Sequence, residues 1–147
     1  MHIEPLSFKE NLPKIINWFD RRPCARQGIW LGTPLPQDTD WTIEPISDST
    51  LYPIFYLVVD YLNKHPEDAN DKFFDYVFLD EGKINEKWET IKKYVNEIYP
   101  LDINLGGKEH KTVHFPVFLM NHVALLPEKF WPRGIISNGW VTSKEGK

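Results

Sequence analysis

The most apolar stretch of the chain spans residues 51–62, with the sequence LYPIFYLVVDYL. Apolar side chains recur at helical spacing and also occupy most positions between, which is typical of a helix buried on all sides. Asp48, Ser49 and Thr50 precede the stretch and can cap a helix, and Pro53 falls in the first turn. The pattern predicts a central core helix, with a long buried strand as the alternative because the stretch is rich in β-branched and aromatic residues.

Three further stretches favour helices. Residues 85–99 repeat apolar side chains every three or four positions, which predicts an amphipathic helix. A helix near the N-terminus is predicted to start at residue 11 or 12, because Pro13 then falls in its first turn. Residues 71–79 carry four apolar side chains at helical spacing, so a helix is favoured there over a strand.

Extended structure is predicted in two parts of the chain. Residues 27–31 and 41–45 have the pattern of short strands and are separated by glycine and prolines. Residues 110–120 are interpreted as a strand, with Pro116 placing it at a sheet edge or bulge. Residues 135–142 carry Asn-Gly at their centre, which is the sequence signal of a two-residue β-hairpin.

Helices therefore dominate the middle of the chain and strands dominate its end. This grouping predicts an α+β fold, with three to four helices packed on a small antiparallel sheet and a C-terminal β-hairpin. The 147 residues fit one domain, residues 1–147, that can bury a core without disulfides. Residues 143–147 are expected to form a disordered tail.

The net charge of −4 is unevenly distributed. Residues 1–34 carry a net charge of +2, residues 35–82 of −9 and residues 83–147 of +3. Binding to nucleic acid requires clustered lysine and arginine side chains, so the acidic middle argues against it and favours a basic partner. Arg21, Arg22 and Arg26 form a small basic cluster, interpreted as neutralising a helix C-terminus.

Cysteine usage and hydropathy bear on the compartment. Cys24 is the only cysteine, so no intramolecular disulfide is possible, which fits a reducing compartment. The N-terminal residues lack the basic start and apolar run of a signal peptide, and the apolar runs are too short to cross a bilayer. A cytoplasmic protein without membrane contact is expected.

The candidate chemistry in the sequence is sparse. His110, His114 and His122 would share one face of a strand, but residues four apart on a strand lie about 13 Å apart, too far to bind one metal ion. No nucleotide-binding or nucleophile motif is present, no local signature surrounds Cys24, and the Gly106-Gly107 pair is a weak signal for phosphate binding. Catalytic residues, metal ligands and cofactors are therefore not predicted.

Acidic and aromatic side chains alternate after residue 66, as on surfaces that bind a basic protein. An amphipathic helix with an acidic outer face is the structural alternative. The predicted partner-binding residues are Glu67, Asp68, Asp71, Asp75, Asp80, Glu81 and Trp41.

The leading functional hypothesis is a protein-binding module. The acidic middle and the missing catalytic motifs favour an inhibitor or immunity-type protein that neutralises a basic partner such as a toxin. Two alternatives remain open: a small hydrolase-like enzyme that uses carboxylate and histidine side chains for acid–base chemistry, or a structural subunit of a larger complex.

Overall fold

The computed structural model describes residues 1–19, 23–28, 31–140, 142–144 and 146. These residues form five α-helices and two three-stranded sheets, so the α+β class is confirmed with more helices than predicted. The strands are β1 (His2–Glu4), β2 (Ala25–Gln27), β3 (Pro34–Leu35), β4 (Asp38–Ile43), β5 (Asn104–Gly106) and β6 (Gly134–Ser137). The helices are α1 (Leu6–Trp18), α2 (Pro45–Lys64), α3 (Asp71–Phe74), α4 (Glu86–Ile98) and α5 (His114–Leu125).

The predicted core helix is confirmed as α2, but it begins earlier than expected. The Glu44 carboxylate accepts a hydrogen bond of 2.7 Å from the Ile46 amide and caps the helix. Asp48, Ser49 and Thr50 therefore lie inside the helix instead of capping it. Pro53 lies in the helix interior, where it supplies no amide for a backbone hydrogen bond.

Burial of α2 on all sides is not observed. Thr50, Ile54, Val58 and Leu62 are buried at four-residue spacing and form one face. The opposite face is exposed although it is aromatic, with Tyr56 retaining 73% of its accessible surface. The helix is therefore an amphipathic wall of the core.

The larger core lies between α2, α3, the π-helical turn Asp75–Leu79 and α4. Phe73 is at its centre, fully buried, with its ring stacked on Tyr61 and edge-on to Trp88 at 5.5 Å each. The helix predicted at residues 71–79 is confirmed in this α3–π segment, and its cap is Asn70. The predicted helix at residues 85–99 is confirmed as α4, with Asn85 accepting from the Lys87 amide.

The first sheet is parallel, with β6 between β1 and β5. Helix α5 connects β5 to β6, and α1 packs against α5 and β1. A second core beneath this sheet contains Ile3, Phe8, Leu12, Phe115, Phe118, Leu119 and Ile135. Helix α1 begins at Leu6, so the predicted start at residue 11 or 12 is wrong and Pro13 lies within the helix.

The second sheet is antiparallel, with β4 between β2 and β3. The strand predicted at residues 41–45 is confirmed in part as β4. The one predicted at residues 27–31 overlaps β2 at Gln27, while Ile29 and Trp30 lie outside the described residues, as do Arg21 and Arg22 of the predicted basic cluster.

The strand predicted at residues 110–120 is wrong, because this stretch is helical. A 3₁₀ turn, Lys108–Lys111, leads into α5. Pro116 is the third residue of α5, where an amide would have no partner within the helix. The buried side chains follow helical spacing: Phe115, Phe118, Leu119 and His122.

The predicted C-terminal hairpin is not formed by the residues that the structure describes. Both edges of β6 are occupied by parallel partners, β1 and β5, so its residues have no free edge for an antiparallel partner from the C-terminal residues that the structure describes. Ser143 and Gly146 exchange backbone hydrogen bonds of 2.9 and 3.1 Å. Glu145 and Lys147 lie outside the described residues, and the disordered tail stays a prediction. No helix in the described ranges is long and apolar enough to cross a membrane.

Candidate ligand site

The three parallel strands end together at one edge of their sheet. Glu4 and Leu105 both pair with Ile136, and Gly106 pairs with Ser137 one residue further on. Ligands of open α/β sheets bind outside the carboxyl ends of the strands, where the loops leave a crevice. This edge, called the carboxyl edge below, is therefore the first place in the fold to look for a ligand site.

A glycine pair forms the turn at the carboxyl end of β5. The Asn138 amide donates to the Gly106 carbonyl at 3.0 Å, and the Ser137 hydroxyl lies 3.3 Å from the Gly107 carbonyl. A β-carbon at Gly106 would lie 2.8 Å from Phe115 Cζ and 3.0 Å from His110 Cγ. The absence of a side chain therefore allows both rings to pack directly on the backbone of this turn.

Replacing Gly106 with alanine is expected to lower the free energy of unfolding by about 2 kcal/mol, because the added methyl group overpacks the turn. Urea denaturation monitored by tryptophan fluorescence measures this difference. Gly139→Ala is the matched control, since a β-carbon there meets no atom within 4 Å; it should change stability by less than about 0.5 kcal/mol. Equal effects of the two substitutions would show that Gly106 is not tightly packed.

Two histidines follow the glycine turn. The His110 and His114 rings are 5.3 Å apart and nearly perpendicular, and the His114 ring lies parallel to Phe118 at 6.5 Å. Burial lowers the pKa of His114, and the neighbouring His110 lowers it further. His114 is therefore neutral near pH 7, and its ring can both donate and accept a hydrogen bond.

Charged and aromatic side chains complete the carboxyl edge. The Lys108 ammonium lies 5.5 Å from the centre of the exposed Trp140 ring, and Glu109 folds back toward Gly107. The edge thus offers a cation, a neutral imidazole and a carboxylate around the glycine turn. Such a set suits a polar ligand with an anionic group.

Glu67 and Asp68, two of the predicted partner-binding residues, are held by one lysine. Lys87 Nζ lies 3.1 Å from Glu67 and 2.9 Å from Asp68. Burial raises the pKa of Asp68, but hydrogen bonds from Lys87 and Tyr61 outweigh burial and hold this pKa at about 2. A backbone hydrogen bond is the largest cause that lowers the pKa of Glu67, and a hydrogen bond from Lys87 lowers it further. These two carboxylates belong to an internal network.

The other predicted partner-binding residues are dispersed. Asp80 pairs with Lys92 and Lys129, which keep its pKa low. Asp71 begins α3, while Asp75 begins the π-helical turn and its carbonyl accepts from the Glu81 amide. Trp41 lies on β4 of the antiparallel sheet, half-buried and paired in register with Gln27. Among the described residues, Glu67, Asp68 and Asp80 are paired with lysines, whereas Asp75 and Glu81 line one surface pocket.

One group of side chains has metal-binding spacing. Ligating atoms of His65, Glu67 and Asp68 lie within 4.8 Å of one another. The Lys87 ammonium already lies against both carboxylates and supplies the positive charge that a metal ion would bring. His110 and His114 are closer than strand geometry predicted, because they lie on a 3₁₀ turn and a helix, but they are only two potential ligands.

Comparison with known proteins points to ligases that act on tRNA. The chain is 39% identical to leucine–tRNA ligase of Pyrococcus furiosus over 97% of its length, and 40% identical to that of Pyrobaculum calidifontis over all of it. The leucine–tRNA ligase of Methanocaldococcus jannaschii is 38% identical over the whole chain. The chain spans 17% of the length of each of these relatives. No protein-family model matches the chain.

This similarity overturns the hypothesis of an acidic inhibitor or immunity-type protein. It extends over nearly the whole chain and connects it with enzymes named for their action on tRNA. The expected basic protein partner and the expected absence of nucleic acid are therefore also wrong. The physical reason for the error is that Lys87, Lys92 and Lys129 neutralise acidic residues that look unpaired in the sequence.

The sequence pattern does not predict the carboxyl edge, although the glycine pair within it is a weak signal for phosphate binding. No strand is predicted between the helix at residues 85–99 and residue 110, where β5 lies. The signal available in the sequence is a short apolar segment, a glycine pair and then a helix with proline in its first turn. A glycine pair indicates a ligand site when it follows a strand and precedes a helix, as it does here.

Proposed function

We propose that this chain is a segment of a leucine–tRNA ligase, and that its carboxyl edge contributes to a binding site for a small substrate of that enzyme. The observation that carries the proposal is the identity of 38–40% to archaeal leucine–tRNA ligases over 97–100% of the chain. The parallel sheet supports it, because such sheets bind small ligands at the carboxyl ends of their strands.

The chemistry of the carboxyl edge is consistent with such a substrate. Joining an amino-acid carboxyl group to a tRNA hydroxyl in water requires an activated carboxyl group, and phosphate-bearing compounds supply such activation. Lys108 and His110 are exposed at the carboxyl edge and offer donors for an anionic group. His114, held neutral by burial, is suited to orient an uncharged part of the ligand.

Contacts to tRNA are proposed to come mainly from other parts of the ligase. Phosphate binding needs free cations, whereas Lys87, Lys92 and Lys129 are engaged with carboxylates of this chain.

We also propose a cytoplasmic location, where tRNA is used, and a single folded domain for residues 1–147. The location agrees with the absence of a membrane-crossing helix among the described residues.

A chimera tests this proposal. The matching stretch of the Pyrococcus furiosus ligase is replaced by this chain, and leucine attachment to tRNA is measured. We expect activity within about tenfold of the parent enzyme. If this chain folds as the segment that it replaces, the contacts to the transition state stay in place. A chimera that is folded by circular dichroism and monodisperse, yet does not attach leucine, would refute the proposal.

The role of the carboxyl edge is tested by His114→Ala in the active chimera. We expect kcat/KM for leucine attachment to fall about tenfold or more, because the substitution removes a half-buried polar group beside the ligand. His2→Ala is the matched control, since His2 is exposed and begins β1, at the end of the strand away from the carboxyl edge. Equal activity of the two variants would place the binding site elsewhere.

A further inference from the structure

Helices α2 and α4 enclose an open groove of about 730 Å³. Its walls are mostly apolar or aromatic, with Tyr56, Val59 and Tyr61 on α2 and Ile91 and Tyr94 on α4. The groove lies on the outer side of the larger core, and its lining contains no residue of the carboxyl edge. It is therefore a separate surface feature from the candidate ligand site.

The groove exposes large aromatic side chains to solvent. Tyr56 retains 73% of its accessible surface and Tyr94 retains 45%. Contiguous apolar patches of this kind mark interaction sites on soluble proteins. Tyrosine is enriched in protein interfaces because its ring is buried while its hydroxyl can bond at the rim.

The charges at the rim of the groove are paired with one another. Asp60 and Lys64 of α2 line the groove, and Lys64 Nζ lies 2.7 Å from the Asp60 carboxylate. RNA would require cations without partners, and a basic protein would require carboxylates without partners. A nearly neutral rim around an apolar groove favours an uncharged, apolar protein segment.

We propose that the α2–α4 groove is an internal docking surface, occupied by an apolar segment of the same ligase polypeptide that lies outside this stretch. This inference rests on the proposed function. It is supported by the relatives, of whose length this chain spans only 17%, so that most of their sequence is available to cover the groove. An amphipathic helix fits, because two packed helices form a groove into which the apolar face of a third can lie.

Cysteine labelling tests the proposal. Tyr56→Cys and Tyr94→Cys are made singly in a Cys24→Ser background, in the isolated chain and in the full-length ligase that carries it. Both thiols should react with a maleimide at least tenfold more slowly in the folded full-length ligase than in the isolated chain. Lys83→Cys, exposed and outside the groove lining, should react at similar rates in both, and each variant in urea provides the rate of an uncovered thiol.

Each other outcome overturns the proposal. Equal rates at the groove thiols in the two proteins mean that no segment covers the groove, and equal slowing at Lys83→Cys means that protection is not specific to it. Slowing that appears only after tRNA is added assigns the groove to RNA. Slowing in the isolated chain that grows with its concentration assigns the groove to a second copy.

The same full-length protein distinguishes this inference from the proposed function. Leucine attachment to tRNA is measured on the Cys24→Ser background in parallel with labelling. An active enzyme with fast-reacting groove thiols refutes the docking surface and leaves the proposed function intact. An inactive protein with slow-reacting groove thiols refutes the proposed function and leaves the docking surface intact.

Discussion

Replacing Phe73 with alanine is expected to lower the free energy of unfolding by about 4 kcal/mol, the usual cost of removing a phenylalanine from a well-packed core. Phe73 has no solvent exposure. Its ring stacks on Tyr61 at 5.5 Å and meets Trp88 edge-on at 5.5 Å, so it joins α2, α3 and α4 at one point. Rigid helices cannot close the resulting cavity, and the lost contacts are not replaced.

Urea denaturation followed by tryptophan fluorescence and by far-ultraviolet circular dichroism measures the Phe73→Ala effect. Phe55→Ala is the matched control, because the Phe55 ring is 44% exposed and lies 6.5 Å from the ring of Phe74, which packs against the same core. The control should lose less than about 1.5 kcal/mol. A similar loss in both variants would mean that Phe73 is not the centre of the larger core.

Helices α4 and α5 differ, for a physical reason, in how clearly their helical period is visible in the sequence. Helix α4 is exposed on one side, so apolar and polar positions alternate with a helical period that is visible in the sequence. Helix α5 is buried around much of its circumference and is apolar at most positions, so the period is lost. The β-branched residues of the stretch 110–120, Thr112, Val113 and Val117, then favoured a strand that tertiary packing does not form.

The candidate ligand site depends on contacts between distant parts of the chain, which local patterns do not reveal. Strand β5 is three residues long, and its parallel partner β6 is about 30 positions away along the chain. The lysines that neutralise Glu67, Asp68 and Asp80 also come from later helices and turns. Local composition was thus sufficient for the α+β class but not for the location of the site or the state of the acidic residues.

Replacing His122 with alanine is expected to lower the free energy of unfolding by about 3 kcal/mol, because a cavity forms and a buried hydroxyl loses its partner. His122 has no solvent exposure, and Tyr99 retains 2%. The Phe118 carbonyl can only accept a hydrogen bond, so His122 Nδ1 donates to it at 2.8 Å. Nε2 therefore accepts from the Tyr99 hydroxyl. Val123→Ala, at a half-exposed neighbouring position, is the control and should lose less than about 1.5 kcal/mol.

The same histidine predicts a pH dependence of stability. Burial lowers the pKa of His122, and the hydrogen bond to Phe118 opposes this only in part. The unfolded chain protonates this histidine near pH 6.5, whereas the folded chain keeps it neutral to lower pH. The free energy of unfolding should therefore fall as the pH drops below about 6.5.

The pH dependence should be weaker in His122→Ala, although not abolished, because the pKa of His114 is lowered in the same direction. Urea denaturation at a series of pH values between about 5 and 8 measures the slope, which reports the difference in bound protons between the two states. An unchanged slope in His122→Ala would show that His122 titrates alike in the folded and unfolded chain. The Tyr99 hydrogen bond would then not require a neutral imidazole.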